Sequence, residues 1–223
     1  MYKRLKENKN LILYYGREYR NLPILDQCNP FIEPYLATSY RVLHSALAAH
    51  STISAFRFDL HYPRTPEYIN PDWIHTNAPI LSFFDSLKQQ IQWDRHIKQK
   101  YFGRVHPTTV HYIWCREKNA GTVLPHYHGM ILLNKQAYHQ LGNWKSDHPN
   151  LANRMITAWQ RATCLPLDTA QNLVQFSHGE TVHYASRDEL YSVGRVFERM
   201  SYLCKAYSKQ YVNGLHMFGN NRK

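Results

Sequence analysis

The segment from Thr52 to Tyr62 limits the fold more than any other, because Phe56, Phe58, Leu60 and Tyr62 alternate with Arg57, Asp59 and His61. Alternation of this kind is the period of an extended strand and does not fit a helix. Thr108 to Glu117 and His126 to Asn134 are two further extended runs. Lys118 to Val123 lies between them, with Asn119 and Gly121 as turn residues, so the pair reads as a hairpin. Short strands are expected near Leu173 to Phe176 and Val182 to Ala185. Helices are expected at about Tyr35 to Ala49, Ile80 to Tyr101 and Asn150 to Thr163, with Pro63 to Ala78 as a proline-rich loop. A last helix begins at Asp188 and carries an apolar stripe of Val193, Val196, Phe197, Met200, Leu203, Cys204, Tyr207 and Tyr211. Tyr207 and Tyr211 are therefore expected in the core. Strands joined by local hairpins, with helices grouped on the sheet, predict an α+β domain with a largely antiparallel sheet.

A chain of 223 residues suits one packed domain with extensions. Residues 1–50 read as an N-terminal basic arm, running to about Pro34, followed by a helix; residues 51–223 read as the main domain. The 27 Lys and Arg outweigh the 16 Asp and Glu, which favours a polyanionic partner such as DNA, RNA or an anionic membrane. No apolar run approaches the roughly 20 residues that span a bilayer, so a membrane protein is not expected. Met1 to Asn10 is basic but has no apolar core of a secretory signal, which points to the cytoplasm. Cys28, Cys115, Cys164 and Cys204 are scattered without a Cys-x-x-Cys, arguing against a zinc ribbon or a disulfide framework. Aromatic side chains among cations suit stacking on unpaired bases, although aromatic residues also build ordinary cores.

The chemistry centres on His126-Tyr127-His128. Residues two apart in a strand share a face, so the two imidazoles stand side by side while Tyr127 turns to the other layer. Two neutral imidazoles on a rigid strand form half of a divalent-metal site. Fourteen histidines in 223 positions would give about one such pair by chance, so the position of the pair, just after a hairpin turn, carries the argument. Glu117, near the end of the partner strand, becomes a third ligand if the register sets it against His126; a slip of one residue would point it away.

The second constellation is Ser201-Tyr202-Leu203-Cys204-Lys205, where Tyr202 and Lys205 share a helical face that Lys209 extends. A tyrosine that attacks phosphorus needs a nearby cation or metal, because its pKa is ordinarily about 10. Tyr-x-x-Lys is also expected about once by chance, and a solvated helix face is the plain alternative. Arg57, Asp59 and His61 share one strand face and could touch DNA or support a metal's ligands. Arg187, Arg195, Lys205, Lys209, Arg222 and Lys223 gather towards the C-terminus, where they could hold the backbone of a single strand.

Taken in order, Phe56-Arg57-Phe58-Asp59-Leu60, Trp114-Cys115-Arg116-Glu117, His126-Tyr127-His128, Tyr202-Leu203-Cys204-Lys205 and Phe218-Gly219-Asn220-Asn221-Arg222 resemble the inovirus gene-two-type replication proteins. These are rolling-circle initiators with the His-hydrophobe-His (HUH) motif, found also in prophages and other mobile elements. The resemblance implies a ferredoxin-like or RRM-like HUH endonuclease domain over residues 51–223, with the histidine strand central. It implies bound Mg²⁺ or Mn²⁺ on His126, His128 and Glu117 and Tyr202 as nucleophile with Lys205 beside it; from the basic residues themselves, DNA contacts are expected at Arg57, Lys209, Arg195 and Arg222. The implied substrate is single-stranded DNA at an origin hairpin or melted origin, and the implied partners are a host helicase and polymerase in a bacterial cytoplasm. Here Tyr127 occupies the position that the family usually fills with an apolar residue. Two rivals remain: a relaxase- or transposase-like enzyme with the same chemistry, and an inactive nucleic-acid-binding regulator on the same scaffold.

Overall fold

The computed structural model describes residues 3–64, 70–119, 121–146, 148–176, 182–211 and 214–221. In chain order the strands are β1 (Leu13–Tyr14), β2 (Glu18–Tyr19), β3 (Leu22–Pro23), β4 (Phe31–Ile32), β5 (Thr52–Leu60), β6 (His111–Glu117), β7 (His126–Asn134), β8 (Val174–Phe176), β9 (Val182–Ser186) and β10 (Phe218–Asn220). The helices are α1 (Glu33–Ala49), α2 (Asp72–His75), α3 (Ala78–Phe102), α4 (Leu151–Thr163), α5 (Leu167–Leu173) and α6 (Leu190–Ser201). The alternating segment forms β5, and the expected hairpin forms β6 and β7. Strands β10, β6, β7 and β5 lie side by side, and β8 and β9 share the outer edge of β5, giving an antiparallel sheet of six strands within an α+β fold.

Both faces of this sheet are covered. Phe56, Phe58 and Leu60 of β5 and Tyr127, Ile131 and Leu133 of β7 pack against Phe83, Phe84 and Leu87 of α3 and Met155 and Trp159 of α4. The opposite face, with Ala55, Ile113, Cys115, Met130 and Leu132, packs against Leu36, Leu43 and Leu47 of α1 and Val196, Phe197 and Met200 of α6. Helix α4 is started by Asn150, whose side chain accepts the Asn153 amide at 3.0 Å. Helix α3 stops at Gly103, whose φ of 75° costs a glycine little.

One row across the sheet fixes its shape: Phe58, Gly129, Trp114 and Gly219 are in register on four neighbouring strands. A Cβ on Gly129 would lie 2.3 Å from Cζ of Phe58, and one on Gly219 would lie 2.5 Å from Cε2 of Trp114. Each large ring therefore lies over the glycine beside it, a close approach that any side chain would block. Gly129 directly follows His128, so this packing braces the strand that carries both histidines.

Several expectations are corrected here. The stretch before Pro34 is folded rather than a free arm: β1 pairs with β4, β2 pairs with β3, and Tyr19, Leu22, Ile24, Cys28 and Phe31 are buried with α1 and α6. Its apolar residues are spaced by prolines without a helical or strand period, so their burial leaves no periodic signal. The last helix ends at Ser201, after which Tyr202–Cys204 tighten into a 3-10 turn and Lys205 is extended. Hydrogen bonds from the N-terminal segment take over at that point. The Leu25 amide donates to Ser201 Oγ at 3.0 Å, and the Ala206 amide donates to the Pro30 carbonyl at 2.9 Å. The helical stripe ends with the helix, so Tyr207 is 63% exposed instead of core, and Tyr211 is half-buried beside Leu5, Ile32 and Ala206. Leu167–Leu173 forms α5, so the strand expected near Leu173 to Phe176 starts at Val174.

Candidate active site

The registers bring the polar residues of three strands to one end of the sheet. Glu117 is the cross-strand partner of His126, and His128 lies between Cys115 and Asp59. Direct partners project from the same face, so Glu117, His126, His128, Asp59 and Arg57 all lie on the α1 and α6 side. The register needed to place Glu117 beside the imidazoles is the one observed. Nε2 of His126 is 3.2 Å from Nε2 of His128, which is 3.4 Å from Oε2 of Glu117. One ligand atom from each of the three residues falls within 4.8 Å of the others.

The separations of 3.2 and 3.4 Å suit two edges around a divalent cation. Ligand atoms about 2.1 Å from a tetrahedral or octahedral ion are separated by roughly 3.0 to 3.4 Å along each edge. Asp59 completes the arrangement by meeting Nδ1 of His128 through Oδ1 at 2.6 Å, which directs Nε2 of that ring at the shared space. Burial, reinforced by neighbouring His128 and His61, pushes the pKa of His126 down to about 4, so its ring is neutral and able to donate a lone pair at physiological pH. The His61 ring stacks on it with centroids 5.5 Å apart. Burial opposes charge on His128, but the hydrogen bonds to Asp59 and Glu117 win and raise its pKa. Burial also opposes charge on Glu117, yet His128 and Lys209 hold its carboxyl far below the usual range.

Two lysines close the site from above. Lys205 Nζ is 3.2 Å from Oε2 of Glu117, and Lys209 Nζ is 3.4 Å from Oε1. Both side chains are buried, so the plain alternative of a solvated face does not hold for them: the extended backbone at Lys205 turns the chain inward, and Lys209 donates to the Lys205 carbonyl at 2.7 Å. Tyr202 is half-buried among these groups. Its ring meets His128 edge-on with centroids 5.5 Å apart, the Arg57 guanidinium lies 4.2 Å from its centre, and Lys205 Nζ lies 3.7 Å from it. The antiparallel bridge between Phe31 and Lys205 pins this turn to the N-terminal hairpins.

The structure thus brings together Glu117, His126, His128, Tyr202, Lys205, Lys209 and Arg57. Arg195 is half-exposed on α6, about two turns before Tyr202. Arg222 lies outside the described residues. Tyr127 faces the other layer, fully buried against Trp114 and Trp159, and its hydroxyl accepts from Arg116 at 3.2 Å. This bond explains how a polar residue occupies the middle of the motif. Arg116 also donates to the carbonyls of Trp73 and Thr76, anchoring the segment that leads into α3. Sequence reading missed this tether and the Lys209 contact with Glu117; only the alternation that placed Asp59 with Arg57 and His61 hinted at the support for His128.

Fold and site together define an α+β protein with a two-histidine, one-glutamate cluster on the central hairpin of an antiparallel sheet, beside a tyrosine flanked by cations. The chain belongs to the YagK/YfjJ C-terminal domain family, which it matches over residues 16–221. It is 27% identical to the uncharacterized protein YfjJ of Escherichia coli (strain K12) over 189 residues, covering 82% of this chain and 90% of that protein. It is 31% identical to the uncharacterized protein YagK of the same organism over 174 residues, covering 74% of this chain and 81% of that protein. No solved structure matches it. Among the described residues, no helix is long and apolar enough to cross a membrane.

Proposed function

We propose that the chain is an HUH-type, metal-dependent single-stranded DNA endonuclease and strand transferase that initiates rolling-circle replication of a mobile element. The observation that carries this reading is the convergence of His126, His128 and Glu117 with the Tyr202 ring, which lies edge-on to His128 at 5.5 Å. A Mg²⁺ or Mn²⁺ ion held by these three ligands would withdraw charge from the oxygens of a scissile phosphate. Tyr202 attacks phosphorus through its phenolic oxygen. The bond from phosphorus to the 3′-oxygen breaks, a 5′-phosphotyrosine forms, and the phenolic proton is balanced by the one gained on the released 3′-hydroxyl. Lys205 and Arg57 stabilise the negative charge that builds on the phenol and phosphate. The covalent link conserves the bond, so the same groups can rejoin ends. A ferredoxin-like HUH topology, kinship with the inovirus gene-two-type proteins and a bacterial cytoplasmic setting belong to this same proposal.

One observation favours a second reading. Lys205 and Lys209 already neutralise Glu117, as would suit a cation-free nucleic-acid-binding regulator on this scaffold. Labelled single-stranded DNA incubated with Mn²⁺ and run on a denaturing gel separates the two. The endonuclease gives a DNA-linked protein band that Tyr202→Phe abolishes, and a Tyr202→Phe protein that still forms the band would remove Tyr202 as nucleophile. A wild-type protein that binds DNA but forms no adduct would favour the regulator.

A further inference from the structure

Beside the candidate active site, the edge of the sheet opens into two recesses with a common wall. The first, of about 430 Å³, is lined by Asp59, Trp144, Gln171, Asn172, Gln175 and Phe176. It adjoins the histidine cluster, since Asp59 holds His128 and Gln175 is the cross-strand partner of Asp59. The second, of about 330 Å³, is also lined by Trp144 and Gln171, and it adds Lys145, Asn153 and Thr157. Trp144 is 44% exposed, and its ring lies 6.1 Å from that of Phe176.

The composition of this wall narrows the ligand. A flat apolar ligand would gain nothing from carboxamides, and a phosphate would gain nothing from an indole and a phenyl ring. A nucleobase uses both, stacking its face on an aromatic ring and pairing its edge with an amide. The first recess has no cation among the residues named, whereas the second offers Lys145 to a backbone phosphate.

We propose that the two recesses seat two successive bases of a single strand whose phosphate reaches Tyr202, with the Trp144 indole between them. Gln171, Gln175 and Asn172 then face base edges, so the chain selects sequence beside the cut. This inference rests on the single-stranded substrate proposed above, and its test reads binding rather than cleavage.

A fluorescein-labelled single-stranded oligonucleotide of mixed sequence, with 5-iododeoxyuridine replacing thymidine, is titrated against the full chain and its Trp144→Ala and Trp144→Phe variants, then irradiated. The expected result is a loss of affinity of about tenfold to a hundredfold for Trp144→Ala, recovery of most of it in Trp144→Phe, and a crosslinked wild-type peptide containing Trp144. Unchanged affinity in Trp144→Ala, with crosslinks only elsewhere, overturns the base-seating role and leaves the endonuclease reading standing. Failure of the wild type to bind any single strand overturns both.

Discussion

Asp94 and Glu117 are both buried carboxylates ringed by cations, yet they are held very differently. Asp94, on α3, receives the Arg154 guanidinium and the Tyr138 hydroxyl at 2.6 Å each, with Arg95 and Lys98 also paired to it. Glu117 meets Lys205, Lys209, His128 and the Cys115 thiol only at 3.2 to 3.5 Å. Short charge-assisted bonds saturate a carboxylate, whereas contacts at the outer limit leave its lone pairs open to a better partner. Asp94 joins α3 to α4 and to the segment carrying Tyr138, and no imidazole is among the partners named here. Glu117 faces two imidazoles and a phenol. Burial of charge is therefore common to both carboxylates, and the looseness of its pairing is what sets the candidate site apart.

The largest expected effect is on the saturated cluster. Asp94→Ala leaves the buried ends of Arg154 and Arg95 uncompensated and is expected to lower stability by about 3 kcal/mol, or Tm by about 10 °C, while leaving Mn²⁺ binding intact. Urea unfolding and calorimetry test this, and an unchanged midpoint would break the contrast. The pH dependence follows from the same group. Burial raises the pKa of Asp94, but Tyr138, Arg95 and Arg154 overcome it and lower the folded value. Its contribution is therefore complete above the unfolded pKa of about 3.9 and is lost as pH falls through the lower folded value. The stability gap between wild type and Asp94→Ala should accordingly be widest near neutrality and close in acid.

The metal-candidate cluster should behave in the opposite way. At a Mn²⁺ concentration about a hundredfold above Kd, the wild type should gain about 2.7 kcal/mol. His126→Ala should unfold within about 1 kcal/mol of wild type without metal, because a neutral, half-buried ring paired only with His128 and the His61 face is removed, and should lose the Mn²⁺ gain. Calorimetry with and without Mn²⁺ reads both quantities. A His126→Ala protein that keeps the full Mn²⁺ shift would place any bound ion elsewhere.

How much of this was legible in the sequence depends on the range of the interaction. The alternation at β5 and the apolar run of β7 specify strands locally, so the hairpin, the shared face of His126 and His128 and that of Arg57, Asp59 and His61 could be read from periodicity, whereas the pairing of Asp59 with His128 could not. The pairing of Glu117 with His126 depends on register, which the turn between β6 and β7 sets, and could be given only as a condition. The end of α6 at Ser201 was not legible, because Leu25 and Pro30 terminate it from more than 170 residues away in the chain. For that reason the sequence placed Lys205 and Lys209 on one helical face with Tyr202 and left out their burial over Glu117.

The smallest effect sharpens the contrast most, because it concerns a single ammonium. Lys209 has a fully buried side chain whose Nζ lies 3.4 Å from Glu117 Oε1. A divalent cation on that carboxylate would meet this fixed positive charge, and removing the ammonium gives up the 2.7 Å bond to the Lys205 carbonyl along with the long contact to Glu117. Lys209→Met keeps the aliphatic stem and deletes the charge. Mn²⁺ affinity, measured by isothermal titration calorimetry, should then rise about tenfold, equivalent to about 1.4 kcal/mol. If affinity instead falls or stays constant, the ammonium does not compete with metal, and Glu117 belongs with Asp94 as a carboxylate committed to its lysines.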